Sequence, residues 1–150
     1  MSALELEVEA PLTFVVLGHA QQKGSKIPTR TSAGAMYVRD ENPEAAPWEA
    51  RIASAARYAF GERPLIRRQV ELELAFYFAR PKSHYGTGRN AELVKTSAPR
   101  APITRPDLDK LARCAIDALT GVVLADDSLV TDLYASKRFG EPERLEARIR

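Results

Sequence analysis

Residues 105–128 read Arg-Pro-Asp-Leu-Asp-Lys-Leu-Ala-Arg-Cys-Ala-Ile-Asp-Ala-Leu-Thr-Gly-Val-Val-Leu-Ala-Asp-Asp-Ser. Carboxylates stand at both ends: Asp107 and Asp109 open the stretch, Asp126 and Asp127 close it. Between them Leu108, Leu111, Ala112, Ala115 and Leu119 recur at three- and four-residue spacing, which predicts an amphipathic helix. Pro106 and Asp107 form its start, with Asp107 as N-cap, and Thr120-Gly121 its end. Such a helix has about 11 residues and is roughly 16 Å long at 1.5 Å per residue. If the chain turned back along it, the second Asp pair could meet the first. Three or four clustered carboxylates outline a divalent-metal site. The competing reading is structural, because acids favour helix N-termini and Asp-Asp-Ser is an ordinary turn composition.

Working outward, the preceding residues 81–106 lack periodicity. They carry Lys82, Arg89, Lys95, Arg100 and Arg105 against one acid, Glu92. A long basic stretch leading into carboxylates would draw a polyanion towards a site that needs a cation to tolerate it. A short helix over 90–95 is a further expectation. Upstream, residues 68–80 hold the clearest strand: Val70, Leu72, Leu74, Phe76 and Phe78 alternate with Glu71, Glu73, Ala75 and Tyr77, so one face is wet. A helix over 47–60 shows an apolar stripe of Trp48, Ile52, Ala55, Ala56, Ala59 and Phe60. Trp48 on that stripe reads as core rather than as a platform for a base.

Residues 12–18 form a continuous apolar strand, which suggests burial on both faces. Residues 19–35 read as a polar loop with Lys23, Lys26 and Arg30 and no acid. Gly24 and Ser25 could let backbone amides approach a phosphate, although the spacing is not that of a nucleotide-binding P-loop. Met36–Val38 suggests a short strand, and 39–43 a turn. Residues 1–11 read as a loose leader. After the acids, 129–139 and 144–150 alternate as two strands, expected to pair as a hairpin. The order of elements predicts one domain over 1–150, an α+β fold with two main helices and a mostly antiparallel or mixed sheet.

Composition narrows the classes. At 150 residues the chain suits one domain with a real core. The net charge of +2 gives no footprint for nucleic acid on its own, so the local basic runs carry that argument. The one cysteine, Cys114, excludes an internal disulfide and a cysteine-built zinc site. No apolar run approaches 18 residues, and the acidic N-terminus lacks a signal-peptide pattern; the expectation is a cytoplasmic protein without a membrane segment. His19 and His84 sit in loops without metal-like spacing. No nucleotide-binding glycine motif is present, so no nucleotide cofactor is expected.

Taken together, Arg105-Pro-Asp-Leu-Asp-Lys-Leu111, then Asp117-Ala-Leu, then Ala125-Asp-Asp-Ser-Leu-Val130 resembles the signature of RusA-type Holliday junction resolvases. That family's pattern is Asp-Leu-Asp-Asn-Leu, a following Asp-Ala-Leu, then Asp-Asp-Ser/Ala-Gln-Val. Val15-Val-Leu-Gly-His-Ala-Gln-Gln-Lys-Gly-Ser-Lys26 is similar to the opening strand and basic loop of many members. Asn42-Pro43 to Trp48 resembles the approach to their first helix.

The resemblance implies a homodimeric, Mg²⁺-dependent endonuclease, with Mn²⁺ as a substitute, that cuts four-way DNA junctions by paired symmetric incisions. It implies Asp107, Asp109 and Asp127 as catalytic and metal-binding acids, with Asp126 and Asp117 in reserve. The family lysine four residues after the second Asp is Arg113 here, and the family Asn is Lys110, the candidate to replace that lysine. Arginine keeps the charge but does not readily donate a proton. Lys23, Lys26, Arg30, Arg105, Lys137 and Arg138 are the expected DNA contacts. Competing readings are a metal nuclease for other branched DNA or RNA, and a non-catalytic nucleic-acid-binding module.

Overall fold

The computed structural model describes residues 10–150. Of the expected leader, residues 1–9 lie outside the described residues, and Ala10 and Pro11 run into the first strand. Six strands and two α-helices follow in the order β1 (Leu12–Leu17), β2 (Lys26–Arg30), β3 (Met36–Asp40), α1 (Ala45–Phe60), β4 (Val70–Phe78), α2 (Leu108–Leu119), β5 (Val130–Phe139) and β6 (Arg144–Ile149). The main sheet has the order β1-β6-β4-β5, and β2 and β3 form a separate antiparallel pair. The fold is α+β with a mixed sheet: β6 is antiparallel to β1 and β4, whereas β5 is parallel to β4.

The alternation of β4 places it at the centre. Val70, Leu72, Leu74, Phe76 and Phe78 are all buried, and the residues between them are half-exposed. Helices α1 and α2 supply the layer over its apolar face, with Trp48, Ile52, Ala56 and Phe60 from α1 and Leu111, Ala112, Ala115, Ala118 and Leu119 from α2. From β1 and β6 come Phe14, Val16, Leu145, Ala147 and Ile149. The core is therefore one layer thick between sheet and helices.

Four expectations need correction. β1 is not buried on both faces: Phe14 and Val16 are buried, but Val15 and Leu17 are more than half exposed, because nothing among the described residues covers the other side of the sheet. The region 19–35 is not all loop, since Lys26–Arg30 is a strand paired with Met36–Asp40, which also takes in the first two residues of the expected 39–43 turn. No helix spans 90–95; a single 3₁₀ turn covers Gly88–Asn90 instead. β5 and β6 do not form a hairpin. They flank β4 on opposite sides, because the most apolar strand takes the centre. The four residues between them cross the end of β4, tied by Gly140 N–H to the Phe78 carbonyl at 3.0 Å and by Ala79 N–H to Glu143 Oε2 at 3.1 Å. The crossing runs so close that a Cβ at Gly140 would lie 2.7 Å from Tyr77 Cδ1.

The long stretch 81–106 is pinned to the sheet. The Arg80 guanidinium donates to the Pro99 carbonyl at 2.8 Å and lies 4.1 Å from the Phe139 ring centre. His84 meets that ring edge-on, and Tyr85 bridges to Val94. Among the described residues no helix is long and apolar enough to cross a membrane.

Candidate catalytic site

Helix α2 is one residue longer than the spacing suggested, and Asp107 occupies its N-cap position with extended backbone. Its carboxylate makes no capping hydrogen bond. A different bond holds this residue: the Asp107 N–H donates to Gln22 Oε1 at 2.8 Å. The Asp107 carboxylate stays about 45% exposed, with Lys110 Nζ 3.5 Å away. Asp109 is exposed on the first turn, as is Arg113 one turn further. The start of α2 thus presents two solvent-facing carboxylates among Arg105, Lys110 and Arg113.

Two supports fix this start from outside the helix. The first is the segment Gln22–Gly24. Lys23 N–H donates to the Lys110 carbonyl at 3.3 Å, and Asn42 Nδ2 donates to the Gln22 carbonyl at 2.9 Å. The Gly24 N–H donates to Asp40 Oδ1 at 2.9 Å, so this amide is already used within the fold rather than left for a phosphate. The second is Lys137 on β5, whose ammonium donates to the carbonyls of Thr104 and Pro106 at 2.8 and 2.9 Å. Gln22 escaped the sequence reading, because a side-chain amide 85 residues from its partner leaves no local pattern; its one trace is its place in the Gln-Gln-Lys-Gly run.

The expected DNA contacts separate by environment. Lys26, Arg30, Arg105 and Arg138 are exposed. Lys23 is mostly buried and ion-paired with Glu49 and, at 3.3 Å, with Asp117. Burial opposes its charge, but the hydrogen bonds and charges of Glu49 and then Asp117 carry its pKa above that of an ordinary lysine. Asp117, four residues after Arg113 on the helix, pairs with Lys23. Cys114 lies beneath this group, 3.6 Å from Glu49 Oε1. Burial first, then the Glu49 carboxylate, push its thiol up to about 12.

The closing acids are at the other end of the helix. After Leu119 the chain folds tightly, with the N–H groups of Val122, Val123 and Leu124 all donating to the Leu119 carbonyl. Leu124 then bridges to Ile66, a 3₁₀ turn covers Asp127–Leu129, and β5 begins at Val130. Asp126 and Asp127 thus belong to the turn itself. Asp126 accepts from the Ser128 hydroxyl, which together with backbone N–H groups lowers its pKa despite some desolvation. Where β5 returns to the start of α2, it presents Lys137, not an acid. Twelve helical residues span about 18 Å, and the seven steps from Val130 to Lys137 about 23 Å. The structure brings Asp107 and Asp109 to one end of α2 and leaves Asp127 at the other. Consistently, no three His, Cys, Asp or Glu among the described residues are grouped so as to hold a metal ion. The donors are all oxygens, as Mg²⁺ prefers, but within one chain the three acids do not fit a single cation.

An α+β domain with exposed carboxylates framed by cations at a helix start has the makings of a phosphodiester-cleaving protein. The family model described as endodeoxyribonuclease RusA matches residues 18–150, and the chain belongs to that family. It is also similar to the Bacillus subtilis (strain 168) protein YqaN, described as uncharacterized, with 34% identity over 86 residues. That alignment covers 57% of this chain and 60% of the relative's length.

Proposed function

We propose that the protein is a Mg²⁺-dependent endodeoxyribonuclease that resolves four-way DNA junctions by paired incisions, working as a homodimer. The observation that carries the reading is the pair of exposed carboxylates, Asp107 and Asp109, beside Lys110 and Arg113 at the start of α2, in a member of an endodeoxyribonuclease family. When bound, Mg²⁺ would supply Lewis acidity and a more acidic water. The chain's own residues would do the rest. Gln22 and Lys137 would hold Pro106–Asp107 in place. Lys110 and Arg113 would offset charge developing on the scissile phosphate. Lys26, Arg30 and Arg105 would contact the phosphates of the DNA arms.

Because Asp127 stands a helix length away from Asp107, we further propose that each site is shared. Asp107 and Asp109 would come from one copy and Asp127 from the other. Such a pair would carry two sites related by a two-fold axis, which suits symmetric cuts on a two-fold substrate. The separated acids also favour a second reading, a DNA-binding module without catalysis. One assay tests both: purified protein with a four-way junction and with matched linear duplex, in Mg²⁺ or in chelator. Metal-dependent cleavage confined to the junction supports resolution. Equal cutting of duplex would point to a different metal nuclease, and salt-dependent binding without cleavage to the binding module.

A further inference from the structure

The two ends of α2 differ in charge. Asp107 and Asp109 stand among Arg105, Lys110 and Arg113, whereas residues 120–132 contain Asp126, Asp127 and Asp132 and no lysine or arginine. A phosphate brought to Asp127 would meet only repulsion from that stretch of chain. The fold supplies cations from elsewhere. Ile66 bridges to Leu124 in parallel, with the Ile66 N–H donating to the Val123 carbonyl at 2.8 Å and the Ala125 N–H to the Ile66 carbonyl at 2.9 Å. The next parallel pair is Val70 with Val130. Residues 67–69 therefore run beside residues 125–129, and Arg67 and Arg68 flank the backbone of the turn that carries Asp126 and Asp127.

Arg63, Arg67 and Arg68 are exposed and line one open groove of about 530 Å³, together with Phe60, Leu65 and Ile66. Arg63 is held in place: its Nε donates to the Phe60 carbonyl at 2.9 Å, and its guanidinium carbon lies 4.6 Å from the Phe60 ring centre. Arg68 donates to the Gln69 carbonyl at 3.1 Å. The one acid in residues 61–69 is Glu62. A cation at the C-terminus of α1 has a structural reason, since it offsets the helix dipole there. Arg63 meets that need through Phe60, and Arg67 and Arg68, further along the chain, do not serve it.

We propose that Arg63, Arg67 and Arg68 form a phosphate-binding groove for a nucleic-acid backbone, which holds a strand against the Asp127 end of α2. The inference rests on the nuclease reading and deepens it, because it assigns substrate contacts at the end of the helix where that reading has only acids. It requires no particular arrangement of two copies. Nucleic acid is the occupant that the page favours over an acidic protein. The groove runs into the turn of Asp127, and its charged donors are all guanidinium groups, whose planar fork matches phosphate oxygens.

The test is fluorescence anisotropy of a dye-labelled four-way junction, in chelator and over a salt series. It compares wild type with Arg67→Ala, with Arg63→Ala and Arg67→Ala combined, and with Arg67→Lys; circular dichroism checks that each folds. The logarithm of affinity should fall linearly with the logarithm of salt concentration. The slope is expected to drop by about one in Arg67→Ala and by about two in the double variant. Arg67→Lys should keep the wild-type slope, because its charge still releases a counterion. A wild-type slope in the double variant would overturn the groove and leave an acidic protein as the occupant. An Arg67→Lys slope as low as that of Arg67→Ala, or no junction binding by wild type, would also overturn it. Arginine-dependent slopes without metal-dependent cleavage would sink the nuclease reading and leave the groove standing. Junction cleavage with unchanged slopes would do the reverse.

Discussion

Asp107 shows how a residue's role can hide behind its position. It stands where an N-cap stands, yet its carboxylate makes no capping bond and stays exposed, while its backbone N–H is held by Gln22. Replacing Asp107, Asp109 or Asp127 with Asn removes charge but little volume. Each change should lower junction cleavage by about 100-fold or more while junction binding in gel shift stays near wild type; full activity in any of them would remove that residue from the site. Gln22→Ala should act more gently. Loss of an outer support of this kind costs about 10-fold or more in rate, and the lost hydrogen bond about 1 kcal/mol of stability. A fall in kcat with unchanged junction affinity is the expected split. Lys137→Ala separates two roles. If its ammonium is occupied by the Thr104 and Pro106 carbonyls, cleavage falls while the salt dependence of junction binding keeps its slope. A phosphate contact would reduce that slope by about one.

Cys114 makes a statement about pH at the same scale. Its thiol holds its proton up to about 12 in the folded state but only to about 8.5 when unfolded. Between those values the unfolded chain has lost a proton that the native chain keeps, so stability declines as pH rises through this window. Lys23, with its raised pKa, adds a loss in the same direction as pH rises past the ordinary lysine range. Urea melts of wild type and Cys114→Ala from pH 8 upward should diverge, with the steeper alkaline decline in wild type.

At the scale of elements, what was legible followed periodicity. The nine-residue alternation of β4 and the apolar stripes of α1 and α2 are single-strand and single-helix properties, and each element forms within two or three residues of expectation. Pairing is another matter. Nothing local in β5 or β6 says that a four-residue connection will cross β4 rather than close a hairpin; competition for the central position decides it. The same holds for the acids. Both Asp pairs were visible as motifs, but their convergence depended on how far the chain travels after α2, and it turns at once. Leu111, fully buried on α2, anchors the helix that carries the proposed site, and Leu111→Ala should cost about 2–5 kcal/mol in denaturant unfolding. Among the described residues the β2–β3 pair has no third strand, and a two-stranded ribbon is marginal by itself. Its amides should exchange with solvent well before those of β4.

At the scale of the whole molecule, the proposed function turns on one arrangement: Asp107 and Asp109 stand at one end of α2 and Asp127 at the other. On the shared-site proposal a single chain supplies part of a site at each end, and two chains related by a two-fold would complete both. The most direct measurement is therefore complementation between two inactive variants. Asp107→Asn and Asp127→Asn chains, carrying different affinity tags, are co-expressed and the mixed dimer is isolated. If sites are shared, the mixed dimer holds one site with every acid intact and one with both lost. It should cut the junction in Mg²⁺ at about half the wild-type rate per dimer, as one site of two, and nick rather than resolve, while each parent stays inactive. A mixed dimer as inactive as its parents would contradict the shared site and return the three acids to a single chain.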